Sequence, residues 1–115
     1  MELKRDELRA LLIDWRDGRK TVRQVHETAE ALMEAHDWTE LPRASAESIQ
    51  YEVLCQLDIL NRQLITSDDI DAFLEFLEAP NGAEEEAWAK WDAYWDSLDF
   101  DERRKALHGD AYYAV

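Results

Sequence analysis

The chain has 115 residues, 46% of them hydrophobic and 35% charged, with a formal net charge of −14 at pH 7. That length suits a single helical or mixed domain over residues 1–115, and the hydrophobic share argues against disorder. The negative balance argues against direct binding to nucleic acid or to an anionic membrane, because both require cations to neutralise phosphate.

No apolar run reaches the roughly 20 residues of a membrane helix. The opening MELKRDELRALL interleaves charges with leucines and has no signal-peptide core. The expected location is therefore the cytoplasm. Cys55 is the only cysteine, so an intrachain disulfide is excluded.

Helical periodicity runs the length of the chain. Leu8, Leu11, Leu12 and Trp15 follow the i, i+3, i+4, i+7 pattern, and Gly18 is placed to stop that helix. Thr21 and Gln24 form a capping-box variant before the stripe Val22, Val25, Ala29, Leu32, Met33 and His36. Residues 37–45 read as a loop broken by Pro42, with Ser45 or Ser48 starting the next helix. Residues 47–64 are predicted as one helix, apolar on nearly all sides and central in a bundle. Within it Cys55 is expected as a packed thiol, and Asp58 with Arg62 as an i, i+4 ion pair. Thr66 with Asp69 suggests a second capping box before Ile70, Phe73, Leu74 and Leu77. The segment Ala79–Gly82 ends that helix and a tryptophan-rich helix follows. Asp99 caps a short helix near Phe100–Leu107, Gly109 stops it, and the tail AYYAV is apolar enough to dock on the bundle. No stretch alternates with period two between turn signals. The fold class expected is all-α, a compact bundle of five main helices plus a short C-terminal one.

Charge is unevenly distributed. Residues 66–102 carry 13 acidic side chains against one base, Lys90, whereas residues 1–65 carry 13 acids against nine bases. Within the excess, Trp88, Trp91, Trp95 and Leu98 fall inside roughly 80° of a helical wheel, with Tyr94 at one edge. Glu85, Asp92, Asp96 and Asp99 form a ridge on the other edge, and the preceding helix adds Asp71, Glu75 and Glu78 at i, i+4, i+7. An aromatic stripe bordered by acids can seat lysine or arginine, the stem on the ring and the head on the carboxylate. Like charges at these spacings also repel, at roughly 0.2–0.5 kcal/mol per pair, and a cationic partner would relieve that cost.

Signals for catalysis are weak. HETAE at His26–Glu30 matches the zinc motif H-E-x-x-H except at its last position, and His26 with Glu30 reads as a surface pair on one helix face. No phosphate-cradling glycine loop and no carboxylate–histidine di-iron pattern is present in the sequence. No cofactor, no metal and no catalytic role are expected.

Two stretches carry a resemblance: EVLCQLDILNRQLITSDDIDAFLEFLEAPNG (Glu52–Gly82) and WAKWDAYWDSLDFDERRKAL (Trp88–Leu107). They resemble small bacterial helical proteins, mostly without assigned function, that share an L-D-x-L…L-I-T-x-[ED]-D-I-x-x-[FL]-x-x-F-L core and a Trp/Tyr-rich helix. The shared residues are caps and core, so the likeness implies a fold rather than a chemistry. In size, acidity and helical character the chain is also similar to immunity proteins of bacterial toxin systems, which implies an acidic face that occludes a basic toxin domain, often a nuclease.

The expectation is an acidic protein-binding module of the immunity or antitoxin type. Its predicted contacts are Asp71, Glu75, Glu78, Glu85, Asp92 and Asp96, with Trp88 or Tyr94 at their margin. Three alternatives stand beside it: a DNA mimic that displaces nucleic acid from a binding protein; a cytoplasmic helical protein without catalytic role, oligomeric (a homodimer, for example) through its aromatic surface; and an enzyme or small-ligand binder, which calls for an enclosed pocket lined by the tryptophans and a carboxylate with a perturbed pKa.

Overall fold

Short amphipathic helices joined by tight stops dominate the computed structural model, which describes residues 4–35, 41–110 and 112–113. Helix α1 spans Arg5–Arg16, α2 Val22–Ala35, α3 Glu47–Asp58, α4 Ile70–Leu77, α5 Glu84–Ser97 and α6 Phe100–Ala106. A single 3-10 turn, Ser67–Asp69, leads into α4, and no strand occurs among the described residues. The all-α bundle is the observed architecture. No helix among the described residues is long and apolar enough to cross a membrane.

The stops and starts follow from local chemistry. Gly18 takes φ +79°, a left-handed conformation that costs glycine little and turns the chain from α1 toward α2. Thr21 and Gln24 make the reciprocal bonds of a capping box, Thr21 N–H to the Gln24 side chain at 2.8 Å and Gln24 N–H to the Thr21 hydroxyl at 3.2 Å. The Asp99 carboxylate accepts the Glu102 amide at 3.0 Å and starts α6. Ser48 plays a different part from the one expected. Ala46 occupies the cap of α3, while the buried Ser48 hydroxyl donates to the Ser45 carbonyl at 2.8 Å and accepts the Trp88 indole N–H at 3.0 Å.

Helix α3 ends at Asp58, six residues before the predicted Leu64. The Asp58 carbonyl, which a continuing helix would use internally, instead lies 2.8 Å from His26 Nε2. The chain then winds through successive turns to Leu64, a buried residue at φ +57°. The predicted Asp58–Arg62 ion pair therefore does not form: Arg62 lies past the helix end, where its amide bonds to the Ile59 carbonyl at 2.9 Å. Cys55 is exposed, not packed, because α3 buries Val53, Leu54 and Leu57 against α1, α2 and α4 and turns Cys55 outward.

One core joins all the helices up to α5, including Leu8, Leu12, Val25, Ile49, Leu57, Leu60, Ile70 and Phe73. Tyr113 from the tail completes it, its hydroxyl donating to the Ile65 carbonyl at 2.7 Å. His36, predicted on the α2 stripe, lies outside the described residues.

Candidate functional site: the groove between α4 and α5

Helices α4 and α5 are joined by the turn Ala79–Ala83, and they diverge around small side chains. Gly82 supplies φ +91°, and the Glu84 carboxylate folds back to accept the Gly82 amide at 2.9 Å. Beyond this turn, alanines at 72, 79, 83 and 87 leave a gap of about 290 Å³, walled by Phe76, Trp91 and Tyr94. Glu75, Glu78, Glu86 and Lys90 stand around it.

The tryptophans are chiefly structural. Trp88 and Trp91 are buried and Trp95 is half-buried. Trp91 stacks on Phe76 with ring centres 4.4 Å apart and packs against Phe73 at 5.0 Å, while Trp95 stacks on Phe100 at 6.3 Å. The Trp91 indole donates to Glu52 on α3 at 3.0 Å. The Trp95 indole nitrogen is buried without a hydrogen-bond partner among the described residues.

Tyr94 closes one end of the groove and ties it to a buried polar corner. Its hydroxyl donates to the fully buried Asp69 carboxylate. Arg103 grips the same carboxylate with both terminal nitrogens, at 2.7 and 3.0 Å, and also donates to the Leu64 carbonyl at 3.1 Å. The Thr66 amide adds a fourth donor to Asp69 at 2.9 Å, so the predicted capping box sits inside this network. Burial first, then the bond to Asp69, pushes the Tyr94 phenol up to about 12. For Arg103, burial opposes the charge, yet bonding to Asp69 and attraction by it outweigh that and raise its pKa further.

The predicted contacts divide between two flanks of α5. Glu75, Glu78 and Tyr94 line the groove. Glu85, Asp92 and Asp96 lie roughly 160–180° around the helix from Tyr94 and do not line it. The single continuous patch drawn from the sequence is thus two surfaces. Part of it is also already matched by bases from the first half of the chain. Arg43 lies over the Trp88 ring at 4.2 Å and pairs with Asp92 at 2.7 Å, and Arg9 pairs with Glu78. Asp71, Glu75, Glu85 and Asp96 are exposed and make no ion pair among the described residues. Trp88 is closed off beneath Arg43 and among core residues.

No known family, curated protein or solved structure matches the chain. Among the described residues no group of three or more His, Cys, Asp or Glu side chains could hold a metal ion. His26 stands beside Glu30 at 3.8 Å, the i, i+4 pairing expected, but its ring is buried and not on the surface: Nε2 faces the Asp58 carbonyl and Nδ1 the Tyr112 hydroxyl. The Tyr112–Tyr113 tail, folding over α2, accounts for that burial. Although Cys55 reaches the surface, partial desolvation by its helix surroundings, reinforced by the charges of Glu52 and Asp58, pushes its thiol up and disfavours the reactive thiolate.

Sequence reasoning missed Glu86, Lys90 and the alanines. The signal was present: Ala83 and Ala87 stand one turn apart on the flank that also carries Tyr94. Small side chains there leave room wherever the facing helix is also small, as at Ala72 and Ala79.

Proposed function

We propose that the protein binds a basic protein partner through the α4–α5 face, as an inhibitor of the immunity or antitoxin type that covers a cationic functional surface. One observation carries the reading: the exposed carboxylates of Glu75 and Glu86 line an open groove with aromatic walls, Asp71 is exposed on the same helix as Glu75, and none of the three makes an ion pair among the described residues. Elsewhere this chain does pair its acids, as at Arg19 with Asp14 (2.8 Å), Arg43 with Asp92 (2.7 Å) and Arg104 with Asp101 (3.1 Å). Carboxylates left over beside apolar surface suit a partner that brings cations. The general likeness to toxin-immunity proteins points the same way. Attraction at long range sets the association rate, and contact with the aromatic walls sets how long the complex lasts.

The test begins with capture of binding proteins using the chain as bait and an assay for neutralised nuclease activity. The deciding measurement is stopped-flow association with the purified partner. The rate constant should fall steeply as salt rises from low to physiological concentration, and Asp71→Lys with Glu75→Lys should lower it at least tenfold. An association rate indifferent to salt and to both substitutions rules the reading out.

A further inference from the structure

Resting on that reading, we propose that the α4–α5 groove is an anchoring pocket for one lysine or arginine side chain of the partner, its stem laid against the wall formed by Phe76, Trp91 and Tyr94 and its cationic head held by Glu75 and Glu86. The volume of about 290 Å³ lies at the small end of ligand pockets, roughly 300–1,000 Å³. It suits one long side chain with its flanking backbone and is too small for a docked helix. Besides the aromatic walls, four alanines and Pro80 supply apolar lining suited to a methylene stem, while Glu75, Glu78, Glu86 and Lys90 supply the charged part.

Charge selects which long side chain enters. Glu78 is occupied by Arg9, so it adds little net field. Glu75 and Glu86 make no ion pair among the described residues, and they face a single base, Lys90. The wider 66–102 segment, with 13 acids against that one base, deepens the negative potential around the opening. The Tyr94 hydroxyl is engaged by Asp69 and offers the occupant its ring alone. A buried aromatic anchor from the partner would leave Glu75 and Glu86 without counterions. An anionic group would meet them directly. A lysine or arginine satisfies both the walls and the rim.

The groove also contains a chemical opponent of its occupant. Lys90 repels an incoming cation, so removing its charge strengthens binding, whereas a mere structural gap would be indifferent to it.

The probe is a capped leucine–arginine–leucine–lysine peptide titrated into the ¹⁵N-labelled full chain and followed by amide and indole shifts. Saturable shifts are expected at Ala83, Ala87, Lys90 and the Trp91 indole. Glu75→Gln with Glu86→Gln should weaken binding at least tenfold, and Lys90→Gln should tighten it severalfold. The control is Glu85→Gln with Asp96→Asn, an equal change of charge on the opposite flank of α5, which should weaken binding less than threefold. All five side chains are exposed, so none of these variants removes core packing. Equal weakening by both pairs, or shifts centred away from the groove, overturns the pocket while leaving the charge-driven association of the full partner intact. Absence of saturable shifts overturns the pocket as well. Loss of salt dependence in the stopped-flow measurement is the separate result that removes the underlying reading.

Discussion

A carboxylate taken out of water costs several kcal/mol unless a cation and hydrogen-bond donors replace its hydration. Asp69 has both, in Arg103, Tyr94 and the Thr66 amide. Replacing it by asparagine would leave a guanidinium with 13% side-chain exposure facing a neutral amide. The expected loss is about 3–5 kcal/mol in urea unfolding, and adding Arg103→Met should recover part of it, because the stranded charge is then gone. The phenols of Tyr94 and Tyr113 are both pushed up to about 12, chiefly by burial. Above pH 10 the unfolded chain gives up these protons while the folded chain keeps them. Their contribution to stability is therefore complete below about pH 10 and disappears as pH rises through about 12. Alkaline unfolding followed by tyrosinate absorbance should begin in that window, and Tyr94→Phe or Tyr113→Phe should flatten the decline. Arg43 makes a smaller contribution. Its side chain is 59% exposed, so Arg43→Ala should cost only about 0.5–1 kcal/mol and shift the Trp88 emission to the red.

At the scale of elements, the stops are the most legible part of the sequence. Glycines at 18, 82 and 109 all adopt positive φ, and each follows the helix it was expected to end. A Cβ added at Gly18 would meet no atom within 4 Å, so the cost of Gly18→Ala is purely conformational. About 1–2 kcal/mol is expected, readable as a lower thermal midpoint. The end of α3 was not legible. Residues 47–64 keep an apolar period past Asp58, and the interruption comes from His26, 32 positions earlier, and from Arg103 holding the Leu64 carbonyl, 39 positions later. Neither partner can be inferred from periodicity, which reports only neighbours along one helix. The same reason hid the exposure of Cys55. A wheel shows that a residue is apolar, but which sector receives a neighbour depends on helices packed from elsewhere in the chain.

For the whole molecule, composition correctly located the acidic excess but not its partition. Angular spacing on α5 gathers Trp88, Trp91 and Trp95 on one arc but leaves open how much of it is core; Trp88 and Trp91 are buried and Trp95 half-buried. It could not show that Asp92 would meet Arg43, or that the α4 acids and the α5 ridge would lie on separate flanks, because those facts depend on how α3 and α4 pack against α5. The unpaired acids have a measurable consequence for the unbound protein. Raising salt from about 10 to about 100 mM shortens the screening length from roughly 30 to roughly 10 Å. Relief of repulsion among Asp71, Glu75 and their neighbours should then add about 0.5–1 kcal/mol, or about 2–6 °C in the thermal midpoint. A midpoint that stays level or falls over this range would mean that the acids are compensated in the unbound protein.

The corner around Asp69 bears on how the chain matures during synthesis. Its two side-chain partners, Tyr94 and Arg103, both emerge from the ribosome after it, the arginine 34 residues later. Until that arginine clears the exit tunnel the aspartate has no cation to accompany it inward, so the nascent protein cannot seal this end early. Closure of this corner is thereby coupled to synthesis of α6, and a polypeptide interrupted just before α6 would be left with a hydrated, open corner for quality-control proteases to attack.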